Sequence, residues 1–76
     1  MKNCSTLKNL GRNIRTIRKD KGLSQENLAL EAEVDRAYLG RVERGERNIT
    51  ILSLTKITEA LDVSLSQLFK GVEDAA

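Results

Sequence analysis

The stretch from Leu23 to Arg47, LSQENLALEAEVDRAYLGRVERGER, constrains this chain more than any other. It reads as two short helices joined by a tight turn. Ser24 is followed by Gln25, Glu26 and Asn27, so its hydroxyl can accept a bond from an early backbone N–H while the acid favours the positive helix end. Leu28, Ala29 and Ala32 then fall on one face at helical spacing. The turn is expected at Glu33 and Val34. Asp35 is the next N-cap, and the residues after it, RAYLGRVERG, run to Gly45 as a helix terminator.

A wheel at about 100° per residue separates the faces of that second helix. Leu39 and Val42 point together into a core, with Tyr38 and Glu43 at the borders. Ala37, Gly40, Arg41 and Arg44 point the other way, and Arg36 flanks them near the helix start. Gly40 is costly, since a mid-helix glycine loses roughly 1 kcal/mol relative to alanine. Either Gly40 and Ala37 keep the outer face flat for close approach to base edges, or Gly40 sits at a crowded helix crossing. Its outward position on the wheel favours the first account. A narrow helix carrying arginines on a flat face suits the major groove of DNA.

The flanking segments supply the rest of an all-α fold. The first helix is expected from about Leu7 to Lys21, with Leu10, Ile14 and Ile17 as its stripe and Gly22 at its end. Arg18 neighbours that stripe and so needs a partner. Thr50 caps a fourth helix of about Ile51 to Leu61, in which Ile51, Leu54, Ile57 and Leu61 should complete the core. Ser64 caps a short fifth helix containing Leu65, Leu68 and Phe69. Leu52, Leu65 and Phe69 exceed what so small a core needs, which suggests either a partner surface or a cover for the far side of the bundle. The organisation expected is a flexible N-terminus at 1–6, one compact five-helix DNA-binding domain at 7–70, and a frayed tail at 71–76.

Composition bounds the function. There is no proline and little alternation that would favour strands. With no histidine, one cysteine and no phosphate loop, neither catalysis nor a metal site nor a cofactor is expected. Cys4 excludes an internal disulfide and fits a reducing cytoplasm, where an incidental exposed thiol in a frayed terminus is its simplest reading. No apolar run approaches the ~20 residues of a membrane span, and no secretory signal is visible. Net charge is only +2, but its distribution is uneven. Residues 1–47 hold eleven Lys/Arg against seven Asp/Glu, whereas residues 48–76 hold two against four. The basic half is the one containing the candidate recognition helix, as a phosphate-facing surface requires. Lys8, Arg12, Arg15, Lys19 and Lys21 read mostly as a solvated helix face.

Three blocks in order, KGLSQENLA, VDRAYLGRVERGERNIT and LTKITEALDVSLSQLF, carry a family resemblance. Over about residues 7–70 the chain resembles the lambda-repressor/Cro-type (Xre-like) helix-turn-helix family. Asp35-Arg36-Ala37-Tyr38 and Glu43-Arg44-Gly45-Glu46-Arg47-Asn48 make it most similar, within that family, to the controller proteins of restriction–modification systems. The resemblance implies that Arg36 reads guanine, that Ala37, Gly40 and Arg41 lie against neighbouring bases, and that Gln25 bonds a phosphate while bracing the recognition helix. It implies backbone contacts from Tyr38, Arg44, Arg47, Asn48 and Thr50, and a structural ion pair between Arg18 and Glu43. It further implies a two-fold homodimer through the last helices, using Leu52, Leu65 and Phe69, bound to a palindromic double-stranded operator. Glu33 stands where the family usually has glycine or asparagine, so the turn must take an unusual backbone. Ala37 stands where many controllers carry threonine, so base preference there does not transfer.

The expectation is a bacterial, cytoplasmic, nucleoid-associated transcriptional regulator of restriction–modification genes, its own included. It is expected to lack a small-molecule ligand and to be set by concentration and operator arrangement. RNA polymerase is a further partner that the acids Glu43 and Glu46 could face. The alternatives are a phage-type repressor, or an antitoxin that also binds a protein toxin. RNA binding is disfavoured because Tyr38 and Phe69 are the only aromatics.

Overall fold

Four side-chain caps start four of the helices where the sequence places them. The computed structural model describes residues 3–72, with side chains from residue 5 onward. It contains α1 (Asn3–Asp20), α2 (Gln25–Ala32), α3 (Arg36–Glu43), α4 (Ile51–Leu61) and α5 (Leu65–Leu68). Ser24, Asp35, Thr50 and Ser64 each accept a bond from the backbone N–H three residues on. Gln67 reaches back to the Ser64 N–H at 2.9 Å, completing a capping box. Each such cap typically contributes about 1 kcal/mol.

The helix ends share one hydrogen-bond pattern. In α1, α2, α3 and α4 a residue five positions on returns its N–H to a last-turn carbonyl: Leu23 to Arg18, Val34 to Ala29, Glu46 to Arg41 and Val63 to Thr58. This closure needs one left-handed residue just past each helix. Gly22 and Gly45 supply it after α1 and α3, both at φ 75°, while Glu33 and Asp62 supply it after α2 and α4, both at φ 59°. Leu23, Val34 and Val63 then fold back against the core, the apolar contact that usually accompanies such a cap.

The core is Leu10, Ile14, Leu28, Ala29, Ala32, Leu39, Val42, Leu54, Ile57, Leu61 and Leu68. α1 packs on α3 and α5, α2 packs on α3 and α4, and α4 packs on α5. Asn13 ties the end of α5 to α1, its Nδ2 donating to the carbonyls of Leu68 at 2.8 Å and Lys70 at 2.9 Å. Among the described residues there is no strand, and no helix is long and apolar enough to cross a membrane.

Several expectations are corrected. α1 begins at Asn3, four residues before Leu7, so Cys4 lies in its first turn; its side chain lies outside the described residues. Val72 packs against the core, and residues 73–76 lie outside the description. Ile51 does not complete the core. At the first position of α4 it is 71% exposed, and Leu54, Ile57 and Leu61 do the packing.

Candidate nucleic-acid interface

α3 has only eight residues, too few to be stable as a helix by itself, so its position depends on what its inner face meets. Leu39 and Val42 are buried in the core. Beside them α1 crosses with no space between the backbones. A Cβ at Gly11 would overlap the carbonyl oxygens of Val42 and Glu43, so α1 can lie on α3 only with glycine there. At the end of α3 the same closeness recurs: a Cβ on Gly45 would stand 2.7 Å from Lys8 Cα.

Charge completes the seat. The buried Arg18 guanidinium donates to both Glu43 carboxylate oxygens, from Nε at 2.7 Å and Nη2 at 3.0 Å. Its Nη1 donates to the Leu23 carbonyl at 3.0 Å. Gln25 Nε2 adds a third donor to Glu43, at 3.0 Å. One carboxylate on α3 thus gathers side chains from α1 and α2, and a two-pronged guanidinium fixes direction as well as distance. Burial of Glu43 also removes it from any surface that polymerase could meet. Glu46 is exposed, but Arg44 Nε pairs with it at 3.1 Å.

The outer face is of another kind. Arg36, Ala37 and Arg41 are exposed. Together with Gln25, Gly40 and Arg44 they line an open hollow of about 420 Å³ between the start of α2 and α3. Gly40 lies within this hollow yet is itself buried. A Cβ there would meet Arg44 Nη1 at 3.4 Å and Gln25 Oε1 at 3.5 Å. The flat patch expected at Gly40 is therefore overlaid by the ends of two polar side chains, at the crossing of α2 and α3.

The remaining predicted contacts form the loop side of this surface. Tyr38 is half-buried against the core, and the Arg47 guanidinium sits 5.4 Å from its ring centre, within cation–π range. Asn48 is exposed in the same loop. The Thr50 hydroxyl accepts from the Ser53 N–H at 3.0 Å and donates to Ser53 Oγ at 3.1 Å, so it is already engaged in capping α4. Away from this face, Leu52 is 67% exposed and Leu65 and Phe69 are each 40% exposed, a heavy apolar presence on α4 and α5. The sequence carries one signal for Gly11, a glycine in mid-helix, and none for Asn13.

Comparison with known proteins agrees with this geometry. The family model described as helix-turn-helix matches residues 14–68. Control protein C.MunI of a Mycoplasma species is 39% identical over 64 residues, covering 83% of this chain and 86% of that protein. Control protein C.SmaI of Serratia marcescens is 42% identical over 59 residues, covering 78% and 70%. Among solved structures, the restriction–modification controller protein C.AhdI from Aeromonas hydrophila superposes with a TM-score of 0.82 at 44% identity, covering 83% of this chain and 96% of that one. The controller C.Esp1396I, solved as a tetramer in complex with its natural 35-base-pair operator, gives a TM-score of 0.80 at 39% identity and covers 88% of each chain.

Proposed function

We propose, for a chain that belongs to the helix-turn-helix family and is similar to its restriction–modification controller proteins, a sequence-specific regulator of transcription that binds double-stranded DNA as a homodimer. One observation carries the reading: the inner face of α3 is locked by Arg18, Glu43, Gln25 and Gly11, while the outer face holds Arg36, Ala37 and Arg41 exposed beside a hollow. Rigid placement with free guanidinium groups is what direct readout in the major groove requires.

In this reading Arg36 takes guanine O6 and N7, with Ala37, Gly40 and Arg41 against the adjacent bases. Gln25, Tyr38, Arg44, Arg47, Asn48 and Thr50 hold the backbone on either side. One helix reads too few base pairs to find a site in a genome, so two copies are needed. The exposed Leu52, Leu65 and Phe69 support pairing through α4 and α5. The C.Esp1396I tetramer on its operator supports assembly of this kind of chain on DNA. The genes controlled would be those of a restriction–modification system, the regulator's own among them, in the cytoplasm and at the nucleoid. Regulation would come from protein concentration and operator layout without a small-molecule ligand. RNA polymerase would be met, where activation occurs, by surfaces other than the buried Glu43.

The test is selection from a pool of randomised duplexes at moderate salt. The expected result is an enriched two-fold motif whose half-sites lie about 34 Å apart, one turn of the double helix. Recovery of unpatterned sequences would overturn the reading and leave a protein partner as the target.

A further inference from the structure

The hollow on the outer face of α3 does not end at Arg44. Gln25 and Arg44 line it and also line a second hollow, of about 360 Å³, whose other walls are Arg15, Arg18 and Glu43. Three guanidinium groups and one carboxylate meet there, leaving two formal positive charges. Arg18 and Glu43 satisfy each other through their paired hydrogen bonds, so the surplus belongs to Arg15 and Arg44. Arg44 is in turn shared with Glu46. Arg15 is exposed and makes no ion pair among the described residues.

We infer that this second hollow seats a phosphate of the DNA backbone and that Arg15, on α1, is its principal cation. The inference rests on the DNA-binding reading above and extends it to a helix outside the two-helix motif. A strand whose bases face α3 must carry its phosphates past Gln25 and Arg44, the two residues common to both hollows, and Arg15 stands next. The floor beneath is rigid: Arg18 is held by Glu43 and by the Leu23 carbonyl, and Gln25 is held by the same carboxylate. A fixed floor with one unpaired guanidinium above it accepts an anion with little reorganisation. Such a contact adds affinity without sequence preference.

The experiment compares Arg15→Ala with Lys56→Ala, which removes the same charge from a hollow between α2 and α4 that Glu31, Glu33 and Glu59 also line. Each variant and the parent protein is titrated with the selected operator and with a scrambled duplex across a range of salt. Neutralising one fewer phosphate makes the slope of log K against log salt shallower by about 0.9. That change is expected for Arg15→Ala on both duplexes, with equal loss of affinity on each and an unchanged Tm, since an exposed unpaired arginine contributes little to folding. Lys56→Ala should keep the parental slope. Equal slopes for Arg15→Ala and the parent would overturn the inference, as would equal slope changes in the two variants. Failure of the parent to bind either duplex would instead sink the DNA-binding reading itself. Inorganic phosphate at fixed ionic strength, followed through the Arg15 Nε–H resonance, separates the sources of the anion. Bound phosphate that the operator does not displace would assign the hollow to a free anion and overturn the backbone assignment, whereas its displacement by the operator supports it.

Discussion

The two faces of α3 are separated by half a turn of helix and differ in almost every physical respect. Inside, Leu39, Val42 and Glu43 are buried, Gly11 lets the α1 backbone touch, and a carboxylate is tied by three donated hydrogen bonds. Outside, Arg36, Ala37 and Arg41 face solvent. The difference teaches that placing a recognition helix and reading with it are assigned to different atoms. An eight-residue helix cannot hold itself, so precision on the outer face is inherited from the inner one. Substitutions should accordingly separate into two classes. Inner changes should alter stability with sequence preference retained among molecules still folded, and outer changes should do the reverse.

The largest expected effect is on the inner face. Arg18→Ala would leave the Glu43 carboxylate buried with only Gln25 as a side-chain donor, and breaking a buried pair in this way typically costs about 3–5 kcal/mol. Urea unfolding would measure it. DNA affinity corrected for the folded fraction should fall much less, and an unchanged unfolding midpoint would show that the pair does not hold α3. The double variant Arg18→Met with Glu43→Leu sharpens the point. Apolar replacement of a buried pair is often neutral, so stability should largely return even if the aim of the recognition helix does not.

Next is Gly11→Ala. One methyl group would press on two backbone carbonyls, which cannot rotate aside as a side chain can, and overpacking of this kind costs about 1–3 kcal/mol or more. Thermal unfolding checks it, and a Tm equal to the parent's would contradict the close crossing of α1 and α3. On the outer face, Arg36→Ala should leave Tm unchanged and remove about 1–3 kcal/mol of discrimination at one base pair. Repeating the duplex selection with this variant shows the loss directly, and full retention of the parental motif would sink the assigned role.

This separation also explains what was legible in the sequence. Four side-chain caps, the apolar spacing of α1 and α4, and the inward pair Leu39 and Val42 depend on residues a few positions apart, and all could be placed from the string alone. An acid at Glu33, where the family usually has glycine or asparagine, signals an unusual turn, and the backbone there is left-handed. Properties set by distant packing were not legible. Ile51 keeps the helical period of the core yet is largely exposed at the start of α4. The wheel angle puts Glu43 only at a border, and its burial against Arg18, 25 residues away, is signalled by the family resemblance and not by local spacing. The hydrogen bonds of Asn13 to the carbonyls of Leu68 and Lys70 likewise join positions with no local relation. Arg15 reads as one more solvated cation until the fold sets it beside Gln25 and Arg44.

The smallest expected effect tests the comparison most directly, because it repeats the Gly11 substitution on the other side of α3. Gly40→Ala would place its methyl group 3.4 Å from Arg44 Nη1 and 3.5 Å from Gln25 Oε1, ordinary van der Waals distances that ask neither side chain to move. Removing a mid-helix glycine should then stabilise the protein by up to about 1 kcal/mol. The same atom type that destabilises at Gly11 should therefore stabilise at Gly40. DNA binding decides what the glycine is for. If Gly40 serves close approach of α3 to the bases, the variant melts higher but binds its operator more weakly, because the methyl group stands where DNA must come. Calorimetric unfolding and operator titration on one preparation measure both. A variant that is more stable and binds as well as the parent would show that this glycine serves neither packing nor reading, and the outer face would then extend only over Arg36, Ala37 and Arg41.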